Sequence, residues 1–197
     1  PWRRSFWTAG AQRQLTRKLA GVADSALTTI PIYEDLLRGL VPHVPVRRLA
    51  MPSTVGEPVA LPAWRQRRAM AIVFGGPGNR ASVYRALSRF QGSLSEAGIE
   101  VIADVGPDSN LAPRRMGKVS IEPRGELPAA ELAAVLLESR LGFSAYPADF
   151  LGKSTAFGGL AAHGVPCLSL RKAAITAIEA PCLQAGTTLD DARLEAV

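Results

Sequence analysis

The chain has 197 residues, 47% apolar and 20% charged, which is enough for one large domain or two small ones with a real core and excludes a disordered chain. Its net charge of +6 is spread as arginines along the chain; it suits a phosphate-rich ligand or an anionic surface, and without interleaved basic and aromatic residues it does not point to nucleic acid. No apolar run is long enough to cross a bilayer, no secretory leader is visible, and two histidines with no zinc-type spacing argue against a metal site.

The opening PWRRSFW lacks a starting methionine and reads as that of a fragment or a processed form. Residues 5–23 have helical spacing, with Leu15, Leu19 and Val22 expected inward and Arg13, Arg17 and Lys18 outward. Trp2, Phe6 and Trp7, beside Arg3 and Arg4, either pack on a neighbouring domain or make a peripheral foot on the inner face of a membrane. Residues 25–30 read as a strand. Pro31 then opens a helix running to about Leu40, at the position where its missing N–H costs nothing, and residues 44–49 read as another strand.

Residues 52–68 hold Pro52, Pro58 and Pro62 and no periodicity, as an interdomain connection would. The expected division is therefore the end of one α/β domain in 1–51, a linker in 52–68, a second domain in 69–170 and a tail, helical in part, in 171–197. The second domain reads as strand 69–74, helix 79–96 stopped by Gly98, strand 99–105, an irregular basic stretch and strand 118–122. Helix 128–139 follows with Leu132, Val135 and Leu136 inward, then strand 141–146, helix 156–163 and strand 166–170. This alternation predicts a Rossmann-like parallel sheet with helices on both faces and ligands at the carboxyl ends of its strands.

Two turns carry the candidate chemistry. Gly75-Gly76-Pro77-Gly78-Asn79-Arg80-Ala81 follows the first strand, and Gly76, Gly78 and Ala81 fit G-x-G-x-x-[GA], in which glycines let backbone approach a pyrophosphate. The second is Gly152-Lys153-Ser154-Thr155, where a strand is expected to hand over to a helix whose first N–H groups have no partner within the helix. A lysine and two hydroxyls there suit a phosphate. The plain alternatives are a tight ligand-free turn for the first and a simple N-cap by Ser154 or Thr155 for the second. Cys167 and Cys182 stand alone and need no disulfide, so a reducing cytoplasm is the expected location.

Taken together these residues resemble a GT-B glycosyltransferase of the glycosyltransferase-4-like group. ADSALTTIPIYEDLLRGL resembles the segment closing that family's acceptor domain, VPVRRLAMPSTVGEP its interdomain connection, and AIVFGGPGNR the first strand and turn of its donor domain. AYPADFLGKSTAFGGLAAHGVPCL falls where the family often has E-G-F-G followed by E-A-x-A-x-G-x-P: Gly152, Ala161, Gly164 and Pro166 match, while the two glutamates would fall at Leu151 and Gly159.

The resemblance implies a sugar moved from a nucleotide-diphosphate donor to an acceptor it does not fix, with no metal or other cofactor required. By the same resemblance the diphosphate is held by helix N-termini and basic side chains, with Arg80 and Lys153 beside the amides of 76–79 and 152–155. The loop 123–126, with Arg124 and Gly125, lies where the base of the donor would sit. The catalytic group acting on the acceptor belongs in that family to the first domain, and none is named. Two rivals stand beside this: an NAD(P)- or FAD-dependent oxidoreductase, with Asp104 holding a ribose, and a non-catalytic scaffold that has lost the two glutamates.

Overall fold

The computed structural model describes residues 9–107, 110 and 112–171. The expectations for Trp2, Phe6 and Trp7, for Cys182 and for residues 172–197 lie outside them. The chain divides into two compact units, Pro1–Met51 and Pro52–Val197.

In the first unit, helix α1 (Ala9–Gly21) precedes strand β1 (Ala26–Thr28), helix α2 (Pro31–Leu40) and strand β2 (Val46–Arg48). The two strands pair in parallel with Ala26 opposite Val46, and Pro31 stands in the first turn of α2 as its fixed φ favours. Ala20, Val41 and Val44 form a small core with Ala26 against it. Leu15, Leu19 and Val22 do not point inward: they are 57%, 61% and 85% exposed. Successive helical residues point about 100° apart, so the rotation of α1 that buries Ala20 carries Leu19 off the core.

The second unit alternates strands and helices. Strand β3 (Met70–Phe74), helices α3 (Pro77–Leu87) and α4 (Gln91–Glu96), and strand β4 (Val101–Val105) come first. Strands β5 (Arg115–Met116) and β6 (Val119–Gly125), helix α5 (Ala129–Glu138), strand β7 (Leu141–Pro147), a 3₁₀ helix (Ala148–Lys153), helix α6 (Thr155–Ala162) and strand β8 (Cys167–Arg171) follow. The expected single helix over 79–96 is two. Pro77 starts the first of them earlier, and the chain turns at Ser88–Phe90 so that Leu94 of α4 joins Leu87 of α3 in one core.

The six strands lie in the order β5-β6-β4-β3-β7-β8. All neighbours are parallel except the β5–β6 hairpin at one edge. Leaving that hairpin strand aside, the chain starts in the middle, builds outward through β4 and β6, then returns to build the other half through β7 and β8. That is the Rossmann-like order, with its reversal point between β3 and β7.

Each face of the sheet has its own core. Ala71, Val73, Ile102 and Phe143 meet Val83, Tyr84 and Leu87 of α3 and Leu94 of α4 on one side. Met70, Ile72, Ala103 and Val105 meet Leu136 of α5 and Leu160 of α6 on the other, with Leu132 and Val135 packed against them. The period-two alternation along β3, Met70 and Ile72 one way and Ala71 and Val73 the other, is what a strand covered on both faces requires.

Residues 52–68 belong to this unit. Val55 packs on the second core. Arg67 is buried, and its guanidinium donates to the carbonyls of Leu136 (3.3 Å), Ser139 (2.9 Å) and His163 (2.8 Å), tying down the ends of α5 and α6 that have no helical partners of their own. Among the described residues no helix is long and apolar enough to cross a membrane.

Candidate functional site

The ladder between β3 and β7 is short. Ala71 pairs with Leu141 and Ile72 with Gly142, and the pairing stops there, whereas β3 stays paired with β4 up to Phe74 opposite Val105. β7 pairs with β8 from Gly142 to Ser144 and, past an irregularity, again at Pro147 opposite Arg171. Pairing between these two strands therefore stops before their carboxyl ends, at the reversal point where α3 leaves on one face and α6 on the other. The reversal point of an open parallel sheet is where such sheets take their ligands.

On one side is the turn 75–79. Gly75 has φ 119°, reachable at little cost only by glycine, and its N–H donates to Val105 (3.1 Å) while Gly106 donates to Gly125 (2.8 Å), so the ends of β3, β4 and β6 are laced together. Gly76 and Gly78 differ from Gly75. Both are exposed, neither has a positive φ, and a Cβ added to either meets nothing within 4 Å. Nothing in the fold calls for glycine at these two positions; a ligand lying against the backbone would.

The donors this turn offers are fewer than the sequence promised. Pro77 has no N–H, and the amides of Asn79 and Arg80 return to the Gly76 carbonyl at 3.1 Å and 3.2 Å. That leaves the Gly78 amide as the first-turn donor these bonds do not use.

Arg80 faces inward. Its side chain is fully buried: Nη1 donates to Asp104 Oδ2 at 2.5 Å and Nη2 to the Pro107 carbonyl, while Tyr84 donates its hydroxyl to Asp104 Oδ1 at 2.8 Å. Burial pushes the Asp104 carboxyl above its ordinary range, and the Tyr84 and Arg80 contacts pull it back. Burial and the neighbouring Asp104 also raise the Tyr84 hydroxyl far above its usual value. Arg80 thus clamps the loop after β4 to the first turn of α3. Asp104 has both oxygens engaged and no exposed side-chain surface.

On the other side is the end of β7. The strand runs on to Pro147, and the 3₁₀ helix stands between it and α6, so Gly152 and Lys153 belong to that helix and only Ser154 and Thr155 open α6. Ser154 is the N-cap: its Oγ accepts the Phe157 N–H at 3.3 Å, leaving the amides of Thr155 and Ala156 for an anion. The ammonium of Lys153 lies 5.8 Å from the ring centre of Tyr146 and 5.4 Å from that of Phe150. Those two rings drew no notice in the sequence.

Arg124 and Gly125, expected in a loop, end strand β6, with Arg124 paired to Glu122 at 2.6 Å on the surface and Gly125 bonded to Gly106. The two positions matched to the acidic signature are closed: Leu151 is 1% exposed, and a Cβ on Gly159 would lie 3.4 Å from Phe74 and 3.5 Å from Val55. Among the described residues no cluster of His, Cys, Asp or Glu is suited to hold a metal ion. No protein-family model matches this chain, and no curated protein matches it.

Proposed function

We propose that the reversal point between β3 and β7 receives the diphosphate of a nucleotide sugar, and that the protein is a glycosyltransferase whose second unit is the donor-binding half of a GT-B architecture. The carrying observation is that Gly76 and Gly78, just after the carboxyl end of β3, lack side chains for which the fold leaves room. The likeness of AIVFGGPGNR and AYPADFLGKSTAFGGLAAHGVPCL to the donor domain of the glycosyltransferase-4-like group adds the substrate class.

In such a transfer the acceptor hydroxyl oxygen bonds to the anomeric carbon as the bond from that carbon to the diphosphate breaks, the hydroxyl proton passes to the leaving diphosphate or to solvent, and charge gathers on the leaving diphosphate. In this reading the amides of Gly78, Thr155 and Ala156, at the starts of α3 and α6, and the Lys153 ammonium meet that charge. Arg80 acts one step back, holding the loops in place. The dinucleotide alternative loses its ribose acid, because Asp104 is fully bonded inside the core.

Calorimetric titration with UDP-, GDP- and ADP-sugars, set against NADH, tests this. Binding of at least one nucleotide sugar is expected, together with its loss in a Gly76→Ala, Gly78→Ala double variant that melts like the parent. Binding of NADH alone would sink the proposal. A second reading, a donor-binding partner subunit without turnover, is favoured by the packing that closes Leu151 and Gly159 to the missing glutamates. Donor binding with no donor hydrolysis and no transfer would select it.

A further inference from the structure

We infer that the exposed side chains of Arg85, Arg89, Arg114, Arg115 and Lys118 form a docking surface for an anionic lipid bilayer, at the end of the sheet away from the candidate site. The fold gathers them from two stretches of the chain. Leu87 at the end of α3 and Met116 of β5 are buried in one core. Each is flanked by cations that the same packing leaves in solvent, Arg85 and Arg89 beside the first, Arg115 and Lys118 beside the second. The two groups are neighbours. Gly117 turns the hairpin with φ 62°, so close to α4 that a Cβ there would stand 3.1 Å from the Gln91 carbonyl. Gln91 follows Arg89 by two residues, and Lys118 follows Gly117 directly. Arg115 lies opposite Ser120, which lies opposite Val101, the first residue of β4, so the hairpin turn is at the amino ends of the parallel strands. α3 starts beyond the carboxyl end of β3 and returns along the sheet, which brings its last turn to the same end.

Among the exposed described residues from 85 to 118 these five cations stand against two acids, Glu96 and Glu100. None of the five is in an ion pair with a described residue. The guanidinium of Arg115 donates to the Lys118 carbonyl at 3.0 Å, which fixes the hairpin turn and keeps the charge beside it. What the surface lacks selects its partner. A protein interface is anchored by aromatic and apolar side chains at its centre, and a single-stranded nucleic acid by rings on which its bases stack. The large apolar side chains exposed among the described residues, from Leu15 to Trp64, all lie outside 85–118. An anionic bilayer needs neither kind of anchor, because each Lys or Arg brought near it gains on its own and the lipid phosphates do not have to share one cleft. Four of the five cations are arginines, whose forked donors match phosphate oxygens. A bilayer held here leaves the carboxyl ends of β3 and β7 facing away from it.

The test is co-sedimentation of the full chain with vesicles of phosphatidylcholine alone and of phosphatidylcholine mixed with phosphatidylglycerol, in the absence of nucleotide. Binding is expected to the mixed vesicles only, and it should weaken as salt is added and screens the exposed charges. Arg89→Gln with Lys118→Gln is expected to weaken it about twenty-fold, roughly five-fold for each cation removed. Arg13→Gln with Arg17→Gln takes the same charge from α1 and is expected to leave binding nearly unchanged. Equal losses in the two double variants would mean that net charge alone is at work, and a larger loss in the α1 pair would put the contact in the first unit; either overturns the inference. Binding that ignores salt or phosphatidylglycerol overturns it as well, and so does no binding at all. Capture of polyglutamate in place of vesicles, lost in Arg89→Gln with Lys118→Gln, would assign the surface to an acidic protein and overturn the bilayer. Nucleotide takes no part in the measurement, so its failure and the failure of the nucleotide-sugar titration are separate findings.

Discussion

Arg80 from the first turn of α3 and Asp104 from β4 close on each other at 2.5 Å with neither side chain reaching solvent. Removing one member of a buried pair strands the other, at a cost of about 3–5 kcal/mol. Arg80→Met should therefore lower the unfolding free energy by about that much, and Arg80→Met with Asp104→Asn should recover much of it. Asp104 is already raised by burial, so without Arg80 the folded state holds its proton more tightly than the unfolded chain does. Stability of Arg80→Met should then rise as the pH falls from 7 toward the ordinary carboxylate range. Urea denaturation of the two variants at several pH values decides it; additive losses would show that the pair is not coupled.

The inward turn of Arg80 was legible in the sequence. Arg80, Val83, Tyr84 and Leu87 follow the i, i+3, i+4, i+7 spacing of one buried helix face, and Asp104 falls in a strand whose other residues are apolar. What hid it was the expectation that an arginine beside a glycine turn serves a ligand. The alternation of strands and helices and the glycine turn after β3 were readable because apolar period and glycine position are local properties. The strand order, the short β3–β7 ladder and the closed surroundings of Gly159 depend on contacts between residues far apart in the chain, and local pattern carries no record of them. The 3₁₀ helix after β7 was also out of reach, because Pro147 and Gly152 mark a break without saying what shape fills it.

Tyr84 gives an alkaline signature. Its hydroxyl is raised far above the ordinary tyrosine value by burial first and by Asp104 second. Above pH of about 10 the unfolded chain loses this proton and the folded chain keeps it, so stability falls as the pH rises through that point. Tyr84→Phe lacks the hydrogen bond, and near neutral pH it should be less stable by about 1 kcal/mol. The gap between the two proteins should narrow above pH 10. Parallel denaturation curves at pH 8 and pH 10.5 measure it, and a constant gap would contradict the raised hydroxyl.

The glycines of the candidate site divide into two kinds, and alanine tells them apart. Gly106 has φ 143°, and a Cβ there would press on the Gly75 carbonyl and stand 3.1 Å from Arg80 Nε. Backbone cannot move aside as a side-chain tip can, so Gly106→Ala should cost about 2 kcal/mol or more through strain and overpacking. Gly78, in the first turn of α3 with open space around it, should tolerate alanine or gain up to about 1 kcal/mol from lower unfolded-state entropy. Thermal melts of the two single variants are enough to check the contrast.

Arg67 fastens residues 52–68 to the rest of the second unit. Three carbonyls accept from its guanidinium, and burial lowers its pKa from the usual value. Arg67→Met leaves those carbonyls without their donor and should cost about 3 kcal/mol, taking roughly 1 kcal/mol for each bond. Arg67→Lys keeps the charge but has no fork to span Leu136, Ser139 and His163, so it should recover little. Faster proteolysis within residues 52–66 of Arg67→Met would show that this stretch is held by the arginine; unchanged cleavage would show that Val55 and its neighbours hold it unaided.

Gly159 carries the last prediction, and it concerns what this site cannot be turned into. In the family that the sequence resembles, a glutamate stands at the matching position, so Gly159→Glu looks like a repair. The structure says otherwise: the position is buried, and a Cβ would meet Phe74 at 3.4 Å, Val55 at 3.5 Å and Leu136 at 3.8 Å, all apolar. A carboxylate placed there loses its water without gaining a partner, which costs several kcal/mol and forces it to take up a proton. Gly159→Glu should melt well below the parent at pH 7, regain part of the loss at pH 5, and transfer no sugar that the parent does not. A variant as stable as the parent, with new donor hydrolysis, would mean that the region around Phe74 and Val55 opens to admit the acid and that the closed packing seen here is not its only state.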